Sequence, residues 1–130
     1  MKILVGYRGV NVGKDLLKEA VRRARTGGGE VHVITSMFGG ETTEGEKIRE
    51  AEENLVKAGE FLAEQGVKYE THLLIRGRNP GQDIVEYARD NGCDEIILAV
   101  KSRSKVGKLI FGSTAQYVIL KADCPVISIR

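Results

Sequence analysis

The residues with the clearest chemical character fall between positions 101 and 114. Lys101, Arg103, Lys105 and Lys108 come first, then Gly112-Ser113-Thr114 at the head of an amphipathic segment. Four cations leading to a glycine and two hydroxyls form a pattern for holding an anion. The first-turn N–H groups of a helix lack intrahelical partners and carry partial positive charge, and a glycine lets the backbone come close to a ligand. A fifth cation, Arg8, lies between Tyr7 and Gly9, just after an apolar run near the amino end. No nucleophile–base pairing is legible beside these groups, so the pattern reads as binding of a phosphate-bearing ligand rather than catalysis. The loop Gly9-Val-Asn-Val-Gly13-Lys14-Asp15 is not a P-loop. It has three residues between its glycines where that loop has four, and Asp15 where a hydroxyl should reach magnesium.

The elements that must position these groups alternate. Lys2 to Tyr7, Glu30 to Ser36, Val67 to Ile75, Glu95 to Val100 and Val126 to Ile129 read as strands. Between them, the spacing predicts helices over Asp15 to Arg25, from a capping box at Thr43-Glu46 through Leu62, from Asn79-Pro80 to Asn91, and over Ser113 to Ala122. In the last of these, Ala115, Val118, Ile119 and Ala122 should face inward. Short βα connections imply a parallel sheet with helices on both faces, an α/β fold of the Rossmann-like type. The first and fourth strands are apolar throughout, whereas the third alternates and suits an edge, which gives the order 3-2-1-4-5. Ligands in such sheets bind beyond the carboxyl ends of the strands where the winding reverses. That point lies between Tyr7-Arg8-Gly9 and Ala99-Val100-Lys101, which places Arg8 beside the basic segment.

Composition narrows the partners. The 130 residues suit one domain, residues 1–130, with no metal or disulfide needed for folding. No apolar run reaches membrane-span length and no signal-peptide pattern opens the chain, so a cytoplasmic protein is expected. Twenty basic against 18 acidic residues, with no tryptophan, offer neither a global field nor a stacking platform for nucleic acid. His32 and His72 stand apart from any metal-ligand spacing and read as residues on a strand surface. Cys93 and Cys124 precede the fourth and fifth strands. Both should lie at the amino edge of the sheet as structural thiols, with a disulfide open as the alternative. The last strand, Val126-Ile127-Ser128-Ile129, is an apolar edge that needs covering, which points to a homodimer.

Over nearly its whole length the chain resembles the universal stress proteins. The resemblance rests on Lys2-Ile-Leu-Val, Pro80 through Ile84 to Ala88, Asp94-Glu-Ile-Ile-Leu, and Gly112-Ser113 through Tyr117-Val118 to Cys124-Pro125-Val126. It implies a stress-response or signalling homodimer, and it raises ATP as a ligand. Nucleotide-binding members carry Gly-x2-Gly-x9-Gly-Ser/Thr after the fourth strand, and here the first two glycine positions are Ala99 and Ser102. Many members also carry an acid after the first strand, where this chain has Arg8. These departures speak against the family's triphosphate site and leave one for another anion. The ligand-binding set is then Tyr7, Arg8, Gly9, Ala99, Lys101, Ser102, Arg103, Gly112, Ser113 and Thr114. The alternative is an ATP-binding member with slow hydrolysis or phosphotransfer.

Overall fold

The computed structural model describes residues 1–8, 10–40, 45–100, 102–103, 109–110 and 112–129. Strand β1 (Lys2–Gly6) leads to helix α1 (Val10–Gly27), and β2 (Glu30–Met37) to α2 (Gly45–Glu64). Next come β3 (Tyr69–Ile75), α3 (Pro80–Asp90) and β4 (Glu95–Ala99). The two-residue strands β5 (Ser102–Arg103) and β6 (Leu109–Ile110) pair antiparallel, and α4 (Ser113–Lys121) and β7 (Val126–Ile129) complete the described chain. The five long strands form one parallel sheet in the order β3-β2-β1-β4-β7, the winding expected from the burial pattern of the sequence.

Strand side chains alternate between the two faces of a sheet, and that alternation builds two cores. Ile3, Val5, Val31, Val33 and Ile97 face α1 and α2, packing on Leu16, Leu17, Ala20, Leu55, Ala58 and Leu62. Leu4, Ile34, Ile96 and Leu98 face α3 and α4, packing on Ile84, Val85, Ala88, Ala115 and Val118. Ile3, Leu4 and Val5 are all inaccessible to solvent, as a central strand covered on both faces requires. In β3 no residue is fully buried, as befits an edge. At the start of α3, the backbone N–H of Asn79 donates to Gln82 Oε1 at 3.3 Å, one arm of the anticipated capping box. Thr43 lies outside the described residues, so the box expected at the head of α2 does too. Among the described residues, no helix is long and apolar enough to cross a membrane.

Three expectations need correction. Helix α1 begins at Val10 rather than Asp15, so much of the expected loop is helical. At Gly13 the low helix propensity of glycine is outweighed by its close packing on the Tyr7 ring. Ile119 is 43% exposed, because the buried line on α4 runs through Ala115 and Val118 and turns away from the next position. His32 is not on the strand surface but 2% exposed, since β2 lies inside the sheet and α3 covers that face. Cys93 and Cys124 are free thiols, the first buried and the second half-buried, in keeping with the structural reading rather than the alternative disulfide.

Candidate functional site

The carboxyl ends of β1 and β4 part where the winding reverses, and a cavity of about 370 Å³ opens there. Two glycines make it possible. A Cβ on Gly6 would come within 2.7 Å of Leu98 Cδ2 and 3.1 Å of Ile84 Cδ1, so a side chain at the exit of β1 would have to push both aside. Gly13, in the first turns of α1, lies flat against the Tyr7 ring, where any side chain would overlap Cε1. That contact holds Tyr7 at 3% exposure, and burial raises its phenol above the usual range. The Tyr7 backbone is tied to β2 at both ends: its N–H donates to Ile34 O at 2.9 Å, and its carbonyl accepts from Thr35 Oγ1 at 2.8 Å.

Of the residues expected in the site, Tyr7, Arg8, Ala99, Gly112 and Thr114 line this one cavity. Ser113 is exposed and outside the lining. Ser102 and Arg103 belong to β5, whereas Gly9, Lys101, Lys105 and Lys108 lie outside the described residues. Gly112 is the extended N-cap of α4 (φ −68°, ψ 163°) and brings no capping side chain to the first-turn N–H groups. An anion in the cavity is therefore a natural partner for them.

The sequence pattern did not point to the opposite wall. Glu50 and Asn54 of α2 reach the cavity, together with Ser36 from β2, Pro80 from α3, and the apolar Leu16, Ile34, Ile84 and Leu98. Glu50 and Asn54 each stand one position ahead of a buried residue, Ala51 and Leu55, so they flank the apolar stripe at helical spacing. That offset was the available signal. The cavity is consequently not uniformly basic, for it holds the Arg8 cation and the Glu50 carboxylate together.

Behind Ser36 stands Asp83, which is fully buried. Ser36 Oγ donates to Asp83 Oδ2 at 2.5 Å, while Arg76 donates to Oδ1 through Nε at 3.0 Å and Nη2 at 2.7 Å. A buried carboxylate is tolerable when paired and hydrogen-bonded in this way. The arrangement clamps the end of β2 to α3 and spends the hydroxyl proton of Ser36, leaving that oxygen as an acceptor toward the cavity.

Residues 1–130 match the universal stress protein family throughout. The chain belongs to that family. A universal stress protein of Methanocaldococcus jannaschii is 30% identical over 99% of this chain and 81% of its own length. Among solved structures, a universal stress protein from Archaeoglobus fulgidus superposes with a TM-score of 0.92 at 40% identity, covering 100% of this chain and 98% of that one. A universal stress protein from Archaeoglobus fulgidus in complex with dAMP superposes with a TM-score of 0.86 at 36% identity, again over 100% and 98%. The parallel sheet in the order 3-2-1-4-5 is thus the family's fold carried by this chain.

Proposed function

We propose that this universal stress protein is a non-enzymatic stress-response or signalling protein of the cytoplasm, acting as a homodimer whose cavity binds a nucleoside monophosphate. The observation that carries the reading is the cavity itself. About 370 Å³ falls at the small end of ligand-pocket volumes, roughly 300–1,000 Å³. Its wall pairs the apolar Leu16, Ile34, Ile84 and Leu98 with Gly112 and Thr114 at the start of α4. In this reading the base sits against the apolar wall and the phosphate meets the α4 N–H groups, the Thr114 hydroxyl and Arg8. Glu50 and the Ser36 oxygen accept from sugar or base donors. The complex of the Archaeoglobus relative with dAMP supports this ligand class. Ala99 and Ser102 put side chains where triphosphate-binding members have glycine, which favours the shorter phosphate.

Calorimetry and thermal unfolding with AMP, and separately with ATP and magnesium, test the ligand. AMP should bind and raise Tm, because a ligand of the native state stabilises it. Arg8→Ala and Thr114→Ala should each weaken it by about tenfold, the scale of one charge-assisted hydrogen bond. Tighter binding of ATP with phosphate release would favour the ATP-hydrolysing alternative, and silence toward both nucleotides at millimolar concentration would sink the proposal. The homodimer rests on β7, an edge strand whose Val126, Ile127 and Ile129 are only half-buried, preceded on α4 by Leu120, which is 78% exposed. Light scattering that gives a monomer mass at micromolar concentration would remove that part of the reading.

A further inference from the structure

In the amino-terminal halves of β2 and β3 stands a cluster that the cavity does not use. His32 and Glu70 are paired across β2 and β3, and His72 lies two residues on, so all three side chains share one face of the sheet. Their ligating atoms all fall within 4.8 Å of one another. His32 Nε2 lies 3.5 Å from Glu70 Oε2, and His72 Nε2 lies 3.0 Å from Glu70 Oε1. His32 is 2% exposed, yet its Nε2 has no hydrogen-bond partner among the described residues. An orphaned buried nitrogen is costly, and this one points at a carboxylate and a second imidazole.

We infer that His32, His72 and Glu70 form a binding site for a zinc-type divalent cation. Two imidazoles and a carboxylate make a recognised ligand set for zinc, whose bonds of about 2.0–2.1 Å place tetrahedral donors about 3.3 Å apart. The distances of 3.5 Å from His32 Nε2 to Glu70 Oε2 and 3.0 Å from His72 Nε2 to Oε1 run to different oxygens, so the carboxylate bridges the two rings near that spacing. All three donors lie within 4.8 Å of one another, and a rotation of His72, whose side chain is 40% exposed, brings them onto one ion. The support behind the first ligand is also in place: His32 Nδ1 lies 2.6 Å from the Tyr87 hydroxyl, which fixes the ring and, with Nδ1–H donating, frees the Nε2 lone pair for metal. Glu30 lies 3.7 Å from the same Nε2 but is itself paired with Lys2 at 3.9 Å and Lys68 at 3.6 Å, so Glu70 is the carboxylate left for the ion.

The test uses the full chain stripped with EDTA and titrated with Zn2+ alone, then with Co2+, whose visible absorption distinguishes tetrahedral from octahedral coordination. One zinc per chain, a higher Tm and a tetrahedral cobalt spectrum are expected. His72→Ala and Glu70→Gln, both at partly exposed positions that should fold normally, should each lower affinity by tenfold or more. Tyr87→Phe should cost about tenfold through the loss of ring support. Cys93→Ala and Cys124→Ala should leave affinity unchanged. No uptake of zinc, undiminished affinity in both His72→Ala and Glu70→Gln, or a loss found in the cysteine variants instead would overturn the assignment. None of these readouts involves nucleotide, so the two proposals stand or fall separately.

Discussion

At Gly13 two tendencies of glycine oppose each other. In an exposed helix, Gly→Ala stabilises by about 1 kcal/mol. Here the added methyl would overlap the Tyr7 ring, which is too well buried to step aside. Gly13→Ala is therefore expected to destabilise by about 1–3 kcal/mol, the range for overpacking, and to weaken ligand binding as Tyr7 shifts; urea denaturation and calorimetry read the two effects. Asp83 presents the reverse case, a residue whose loss strands its neighbours. Asp83→Ala leaves Ser36 and Arg76 without their acceptor and removes the clamp between β2 and α3. A cost of about 3–5 kcal/mol is expected from breaking a buried pair, tempered because Arg76 is half-exposed. Ser36→Ala should cost only about 1 kcal/mol. Equal effects of the two substitutions in denaturant melts would show that the carboxylate is not the anchor described.

Among the elements, β3 and β7 are the two edges of the sheet, and β7 is the more apolar of them. The carbonyls of Ile129 and of Pro125, just before the strand, accept from Val100, just past β4, and from Ile96 within it, so by alternation the N–H of Ser128 points away from the sheet. Ser128→Pro removes that outward donor without breaking the β4 ladder. The proposed pairing predicts a shift to monomer mass by light scattering with little change in far-UV circular dichroism. Element order, the sheet winding and both central strands were legible because burial on two faces leaves continuous apolar runs and an edge does not. The start of α1 was not, since Gly13 signals a loop until the Tyr7 ring that requires it is known. Part of the site shared that limit. Tyr7, Arg8, Ala99, Gly112 and Thr114 follow from where parallel strands end, but Glu50 and Asn54 arrive from a helix whose packing angle no local pattern encodes. His32 was misread because strand alternation does not say which face a later helix will cover.

For the whole molecule, buried weak acids set the pH response at the alkaline end. Burial pushes the Cys93 thiol up to about 11 and the Tyr87 phenol up to about 12. For an acid whose pKa is higher in the folded chain, the unfolded chain loses its proton first, so stability is full below the unfolded pKa and declines as pH rises toward the folded one. Unfolding free energy should therefore fall by about 2–3 kcal/mol between about pH 9 and pH 11, from Cys93 alone. In Cys93→Ala, urea titrations across that range should give a flatter profile; an unchanged slope would assign the loss elsewhere.

The placement of the tyrosines has a practical consequence. The chain has no tryptophan and four tyrosines, so its ultraviolet emission is tyrosine emission, unmasked by any indole. Tyr7 forms part of the cavity wall, and Tyr87 sits 2.6 Å from His32 on the far side of the sheet. The protein thus carries two built-in optical reporters, one at each place where a ligand is expected. Tyr7→Phe and Tyr87→Phe would silence them one at a time, so nucleotide and metal can be titrated into the unlabelled chain and their signals separated.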